Sequence, residues 1–123
     1  MPNEVTADPL WRLSAYRLGS FLGNLAWDDA NVLFRNGITR PAASQLYRAV
    51  WSAPANMAEG YSKVSGRDRA RIFEYALGSV REASVWYQAG RRVLSDDIVA
   101  HRTAILSEIR RLLLVMVPSE RKK

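Results

Sequence analysis

The chain has 123 residues, of which 48% are hydrophobic and 24% are charged, a balance typical of one globular domain and not of a disordered or fibrous protein. It contains no cysteine, which excludes disulfides, thiolate metal ligands and a cysteine nucleophile. Its net charge of +6 comes from 18 basic and 12 acidic side chains and favours an anionic partner such as nucleic acid.

Targeting and membrane signals are lacking in the two segments where they would be expected. Residues 1–10 include Glu4 and Asp8 and have no basic region before an apolar stretch, so they do not resemble a secretory signal. The longest apolar run, residues 112–117, is far shorter than the roughly 20 residues that span a bilayer. We therefore expect a cytoplasmic protein that does not enter the membrane.

The first predicted helix covers residues 9–35. Asp8 and Pro9 form a start signal, because an N-cap residue is followed by proline at the first helical position. Apolar residues then recur at steps of three and four, and the repeating set is Trp11, Ala15, Leu18, Leu22, Leu25 and Val32. Asp29 interrupts this apolar face, so we expect it to pair with an arginine from another helix. Gly37 is predicted to end the helix in a left-handed conformation.

The second predicted helix covers residues 41–59 and ends at Gly60. Pro54 lies well inside it, where proline removes one backbone hydrogen bond and clashes with the carbonyl four residues earlier. The sequence therefore predicts a kink or a local break at residues 50–53.

Two more helices are predicted, over residues 67–94 and 97–117. Asp96 and Asp97 form the start signal of the last one, next to the positive end of the helix dipole. Pro118 is expected just after its end, followed by a charged, flexible tail over residues 118–123. The connections are short, so the four helices should form one antiparallel up-down-up-down four-helix bundle, an all-α domain that spans residues 1–123.

The middle of the chain carries a family pattern. A proline is followed by Asn-x-Ala-Glu-Gly, and later by Ala-Leu-Gly-Ser and a glutamate; the matching residues are Pro54, Asn56, Ala58, Glu59, Gly60, Ala76, Leu77, Gly78, Ser79 and Glu82. The chain thereby resembles the four-helix proteins encoded in intervening sequences of bacterial 23S ribosomal RNA genes, a family that includes the accessory variability determinants of diversity-generating retroelements. Trp51 and Trp86 depart from the family pattern and leave the branch open.

The resemblance implies a homo-oligomer, a five-fold ring, and for the retroelement branch a reverse transcriptase and its template RNA as partners. The motif itself has two interpretations. Pro54 and Gly60 are explained by a device that kinks and ends the second helix. Alternatively Asn56 and Glu59, which share a helix face, mark a subunit or ligand contact together with Gly78 and Glu82.

Catalysis finds little support in the sequence. His101 is the only histidine, so no histidine pair can hold a metal, and no glycine-rich phosphate loop follows a strand. We therefore expect neither an enzyme, nor a metal, nor a cofactor.

Arginines on the third helix are the stronger functional signal. Arg67, Arg71, Arg81 and Arg92 follow one heptad-spaced ridge with Glu74 and Gln88 between them. The ridge is extended by Arg91, Arg110, Arg111 and residues 121–123. Such a stripe is suited to the phosphates of RNA or DNA, without strong base readout. A solvated face with local ion pairs, such as Arg71 with Glu74, explains it equally well.

The end of the fourth helix is apolar all round, whereas a bundle helix needs only one apolar stripe. The surplus predicts a subunit interface at Leu113, Leu114, Val115 and Val117. Two functions remain open. One is an oligomeric nucleic-acid-associated adaptor, accessory to a reverse transcriptase or to ribosomal RNA. The other is a scaffolding bundle with no nucleic-acid role.

Overall fold

A computed structural model describes residues 2–123 and contains no strand within that range. It has four long helices, two short helices and one 3₁₀ turn. In chain order they are α1 (Asn3–Ala7), the turn (Pro9–Arg12), α2 (Ser14–Phe34), α3 (Arg40–Tyr61), α4 (Gly66–Ala89), α5 (Arg91–Leu94) and α6 (Asp96–Arg121). The predicted all-α bundle of four long helices is confirmed.

The long helices pack as antiparallel neighbours. Gly19 of α2 lies against Pro54 of α3, at a place where a Cβ would be 3.2 Å from the proline ring. Likewise the start of α4, at Gly66, lies against the end of α6, at Glu120. One apolar stripe from each helix fills the space between them, and the largest fully buried side chains include Leu22, Leu33, Leu46, Met57, Val80, Tyr87, Leu106, Ile109 and Leu113.

A buried polar network joins three of the helices. Asp29 of α2 is only 2% exposed, and Arg102 of α6 donates to both of its carboxylate oxygens, at 2.7 and 3.2 Å. The Tyr87 hydroxyl of α4 donates to the same carboxylate at 2.7 Å. Burial, and then the bond to Asp29, raises the pKa of Tyr87. The expectation that Asp29 takes an arginine from another helix is confirmed.

The first helix starts later than predicted. Asp8 does cap a turn, since its side chain accepts from the Leu10 backbone N–H at 2.9 Å, but that turn is 3₁₀ and ends at Arg12. Leu13 is extended, with ψ of 109°, and α2 begins at Ser14. Trp11 therefore lies outside the helix whose apolar face it was predicted to begin.

Glycine does not end helices here through left-handed backbone, because every glycine within residues 2–123 has φ outside the positive range. After α2, the exposed carbonyls are satisfied by side chains instead: Thr39 donates to the Leu33 carbonyl at 2.7 Å, and Arg40 to that of Phe34 at 2.8 Å. Gly60 likewise does not stop α3, which continues to Tyr61. Gly60 is buried, and a side chain at this position would press on Phe73.

Neither Pro54 nor Pro118 interrupts its helix. The helix α3 runs through Pro54 without a break, since proline forfeits one hydrogen bond and its ring fills the space that Gly19 leaves open. Pro118 lies inside α6, not after it. The predicted tail is helical to Arg121 because Arg69 of α4 holds Glu120 by an ion pair of 2.6 Å.

The predicted third helix is divided in two. It ends at Ala89, and α5 follows at Arg91, because Gly90 lies against the Leu33 side chain. The last helix begins at Asp96 instead of residue 97, and its cap is Ser95, in the positive-φ region at 100°. Asp96 and Asp97 both lie in the first turn, where their negative charges interact favourably with the positive end of the helix dipole.

We expect the Asp29 network to dominate stability. Replacing Arg102 by leucine leaves a buried carboxylate without its cation, which should lower the free energy of unfolding by about 3–5 kcal/mol. Urea unfolding followed by circular dichroism measures this. The matched control is Arg110→Leu, an exposed arginine on the same helix, which should change stability by less than about 0.5 kcal/mol. Equal losses for both variants would contradict the assignment.

The ion pair at the end of α6 should make stability depend on pH. Desolvation opposes ionisation of Glu120, but hydrogen bonds from Arg69 and Lys123 outweigh it and lower its pKa below the ordinary 4.5. Since the unfolded chain binds this proton more readily, the contribution is present above about pH 4.5 and is lost as pH falls through the lowered pKa. As the pH is lowered from about 6 to about 3, the melting temperature should fall less steeply for Glu120→Gln than for the wild type.

Candidate functional site

The arginine ridge lies on the outer face of α4. Arg67, Arg71 and Arg81 are all exposed on that helix, and Arg67 and Arg81 are two heptads apart. Arg92 is also exposed, but it belongs to α5, beyond the interruption at Gly90. The ridge is therefore straight over three of its four predicted members, and the fourth follows a change of helix.

Ion pairs neutralise only part of this face. Arg71 lies 3.9 Å from Asp68 and its guanidinium is 5.9 Å from the centre of the Tyr75 ring. Glu74 pairs with Arg121 of α6, so the alternative pair of Arg71 with Glu74 does not form. Within residues 2–123, Arg67, Arg81 and Arg92 have no carboxylate partner.

The predicted extensions of the ridge also include arginines with a carboxylate partner and arginines without one. Arg111 donates twice to Glu108, at 2.9 and 2.5 Å, so its charge is compensated locally. Arg91 donates to the Gln88 backbone carbonyl at 2.9 Å, which leaves its charge uncompensated. Arg110 is exposed and forms no ion pair in the described part of the chain.

A groove of about 460 Å³ crosses the middle of the ridge, between α4 and α6. Apolar and charged side chains share its walls, and the lining residues are Glu74, Leu77, Gly78, Arg81, Leu114, Val117, Pro118 and Arg121. Arg81 and Arg121 are exposed at its edges. The surface that sequence spacing describes as a basic stripe therefore has an apolar centre.

The four residues of the predicted subunit interface lie in two different environments. Leu113 is fully buried and Val117 is 6% exposed, because they face the core of the bundle; their assignment to an outer interface was wrong. Leu114 and Val115 are 50% and 61% exposed. An all-round apolar segment thus contributes one side to the core and the other to solvent.

Most of the family motif has a structural explanation. Pro54 packs on α2, and Gly60 lies against Phe73. Asn56 donates to the Ser52 carbonyl at 2.9 Å. Glu82 accepts from the Trp86 indole N–H at 2.9 Å.

Two motif residues have no such explanation. Glu59 is exposed, and its side chain forms no hydrogen bond or ion pair among residues 2–123. Gly78 is exposed too, and a Cβ built on it would meet nothing within 4 Å.

The aromatic face that α2 and α3 share was not predicted from the sequence. Trp27 and Phe34 are 60% and 57% exposed. Trp27 makes an edge-on contact with Tyr47 at 5.7 Å, and Tyr47 makes another with Trp51 at 6.4 Å. The available signal was that Trp27 falls between Leu25 and Asp29 of the predicted apolar face, and so does not belong to it.

Residues 2–123 include no group of three or more histidines, aspartates or glutamates that could hold a metal ion. No helix among them has the length and apolar character needed to cross a membrane.

The chain is similar to known proteins in sequence and in fold. Residues 36–114 match the family model described as 23S rRNA-intervening sequence protein. No curated protein matches. The bundle is similar to the crystal structure of a protein of unknown function from the S23 ribosomal protein family of Bacteroides thetaiotaomicron, with a TM-score of 0.77 and 17% identity over 84% of this chain and 97% of that one. Since the family match extends over more than half of the chain, this protein belongs to the 23S rRNA-intervening sequence protein family.

Proposed function

We propose that this protein is a non-enzymatic adaptor that self-associates and binds RNA or DNA through its phosphates. The observation that carries the proposal is the charge of the α4 ridge. Arg67, Arg81 and Arg92 are exposed and uncompensated, whereas Arg69 and Arg102 are used in ion pairs within the fold. Guanidinium groups that are free of internal carboxylates are available for bidentate contacts to phosphate.

The dimensions of the ridge suit a polyanion. Arg67 and Arg81 are about 21 Å apart along the helix axis at 1.5 Å per residue. A nucleic-acid duplex presents on the order of ten charges over that length. Arginines on a straight helix face reach phosphates and not base edges, so binding should be insensitive to base sequence.

The buried titratable groups are engaged in contacts that hold the helices together. This structural role supports the proposal that the protein is not an enzyme. The Asp29 carboxylate accepts from the Tyr87 hydroxyl and from Arg102.

The partner is a second part of the proposal: ribosomal RNA, or the template RNA of a reverse transcriptase, with the same phosphate chemistry in both cases.

Binding should weaken steeply with salt. We expect fluorescence anisotropy with labelled RNA and DNA to give a log-linear loss of affinity as salt rises. Replacing Arg67, Arg71 and Arg92 together by alanine should reduce that slope by up to about three, near one for each lost phosphate contact. Changing the base sequence should have a smaller effect.

The matched control removes the same charge from elsewhere on the surface, by alanine at Arg12, Arg35 and Arg48, all exposed. It should retain most of the slope. Equal loss in both variants would mean that only net charge matters. Absence of binding by the wild type at low salt would favour the scaffolding alternative.

Self-association is supported by the exposed Leu114 and Val115, and we expect a mass well above the 13.9 kDa of one chain, with a pentamer at about five times that value. Light scattering at micromolar concentration measures it. Replacing both residues by glutamate should give a monomer with unchanged helix content, because neither is in the core. A monomeric wild type would refute self-association.

A further inference from the structure

Among the glycines of the long helices, Gly78 is the one at which an added Cβ would meet no neighbour within 4 Å among residues 2–123. The packing of these residues therefore does not explain why this position is a glycine. Side chains at Gly19 and Gly60 would press on Pro54 and Phe73, at 3.2 and 2.8 Å. At Gly23 and Gly66 they would overlap the Trp51 indole and the Glu120 carbonyl. Glycine inside a helix is less stable than alanine, so Gly78 costs stability without serving the packing of its own chain.

The space above Gly78 is shaped as a socket. Leu77, Gly78 and Leu114 contribute apolar surface to the groove, and Arg81, Arg121 and Glu74 are its charged lining residues. Glu74 pairs with Arg121. Arg81 has no ion-pair partner within the described residues. Arginine binds the faces of aromatic rings favourably. An apolar groove with arginine edges therefore fits an aromatic side chain.

A matching projection lies on the aromatic face, on the α2–α3 side of the bundle. Trp27 is 60% exposed and is held against Tyr47 by an edge-on ring contact of 5.7 Å. Its neighbour Asp28 is exposed and forms no ion pair in the described chain. Large exposed aromatic surface is typical of protein contacts, and tryptophan and arginine dominate their energetics.

We propose that Trp27 of one copy inserts into the Gly78 groove of a second copy, with its indole between Arg81 and Arg121 and with Asp28 near Arg81. This contact rests on the proposed self-association and specifies its geometry. Because projection and socket are different surfaces, the interface is head-to-tail, and each copy has one of each to offer. Such a contact closes a ring or extends a chain, unlike a symmetric dimer.

The contact leaves part of the arginine ridge exposed. Arg67 is about 16 Å from Gly78 along α4, and Arg91 and Arg92 lie beyond its other end. Assembly and phosphate binding can therefore occur together on one molecule.

Two complementary variants test the geometry. Trp27→Ala removes the projection and keeps the socket, whereas Gly78→Leu fills the socket and keeps the projection. Each alone should be a 13.9 kDa monomer by light scattering, with the helix content of the wild type by circular dichroism. Mixed in equal amounts, the two should form a dimer of about twice that mass that grows no further, because only one intact contact is available. Val64→Ala, a substitution at an exposed residue outside both surfaces, should assemble as the wild type does.

Three outcomes would overturn the proposal: assembly of either single variant to the wild-type mass, a mixture that stays monomeric, or a monomeric wild type. The first two leave self-association intact and reject only this contact. Salt-dependent RNA binding, measured on the Gly78→Leu monomer, tests the nucleic-acid part separately and should persist.

Discussion

The carboxylate of Asp29 fixes the relative position of three helices. Arg102 from α6 and Tyr87 from α4 both bond to it at 2.7 Å, and an unpaired charge at that depth would be strongly destabilising. At the other end of the same helix pair, Arg69 binds Glu120. The α4–α6 pair is thus fastened by polar contacts near both ends. The groove at Gly78 lies between them, so its shape depends on these two contacts.

Arginine serves two purposes in this protein, and net charge alone does not separate them. Arg69 and Arg102 are mostly buried and bound to carboxylates, where they determine how helices align. Arg67, Arg81 and Arg92 remain exposed with no such partner within residues 2–123. Only the second group is free to meet a polyanion, because an arginine that already binds a carboxylate gains less from a phosphate. The proposed function therefore depends on pairing and not on the number of arginines.

The family motif contains both packing residues and a residue for which packing gives no reason. Pro54 and Gly60 bring helices together, which is consistent with a fold retained at 17% identity to a solved relative. Gly78 belongs to the same motif, but a Cβ added to it would meet no neighbour within 4 Å among residues 2–123. The sequence alone does not distinguish a glycine that packing requires, such as Gly60, from one that packing does not explain, such as Gly78. Their difference appears only when the neighbouring helices are in place.

Sequence periodicity determined the all-α bundle, its four long helices and the need of Asp29 for an arginine, because these follow from local spacing and from the cost of a buried charge. Helix ends were predicted less well. Tertiary contacts, such as Arg69 with Glu120 and Leu33 with Gly90, override local signals from proline and glycine. Only the tertiary structure placed Leu113 in the core and Leu114 outside it, and brought Gly78 and Leu114 to one groove. The reason is that burial depends on which helix lies opposite, and a single helix's spacing does not contain that information.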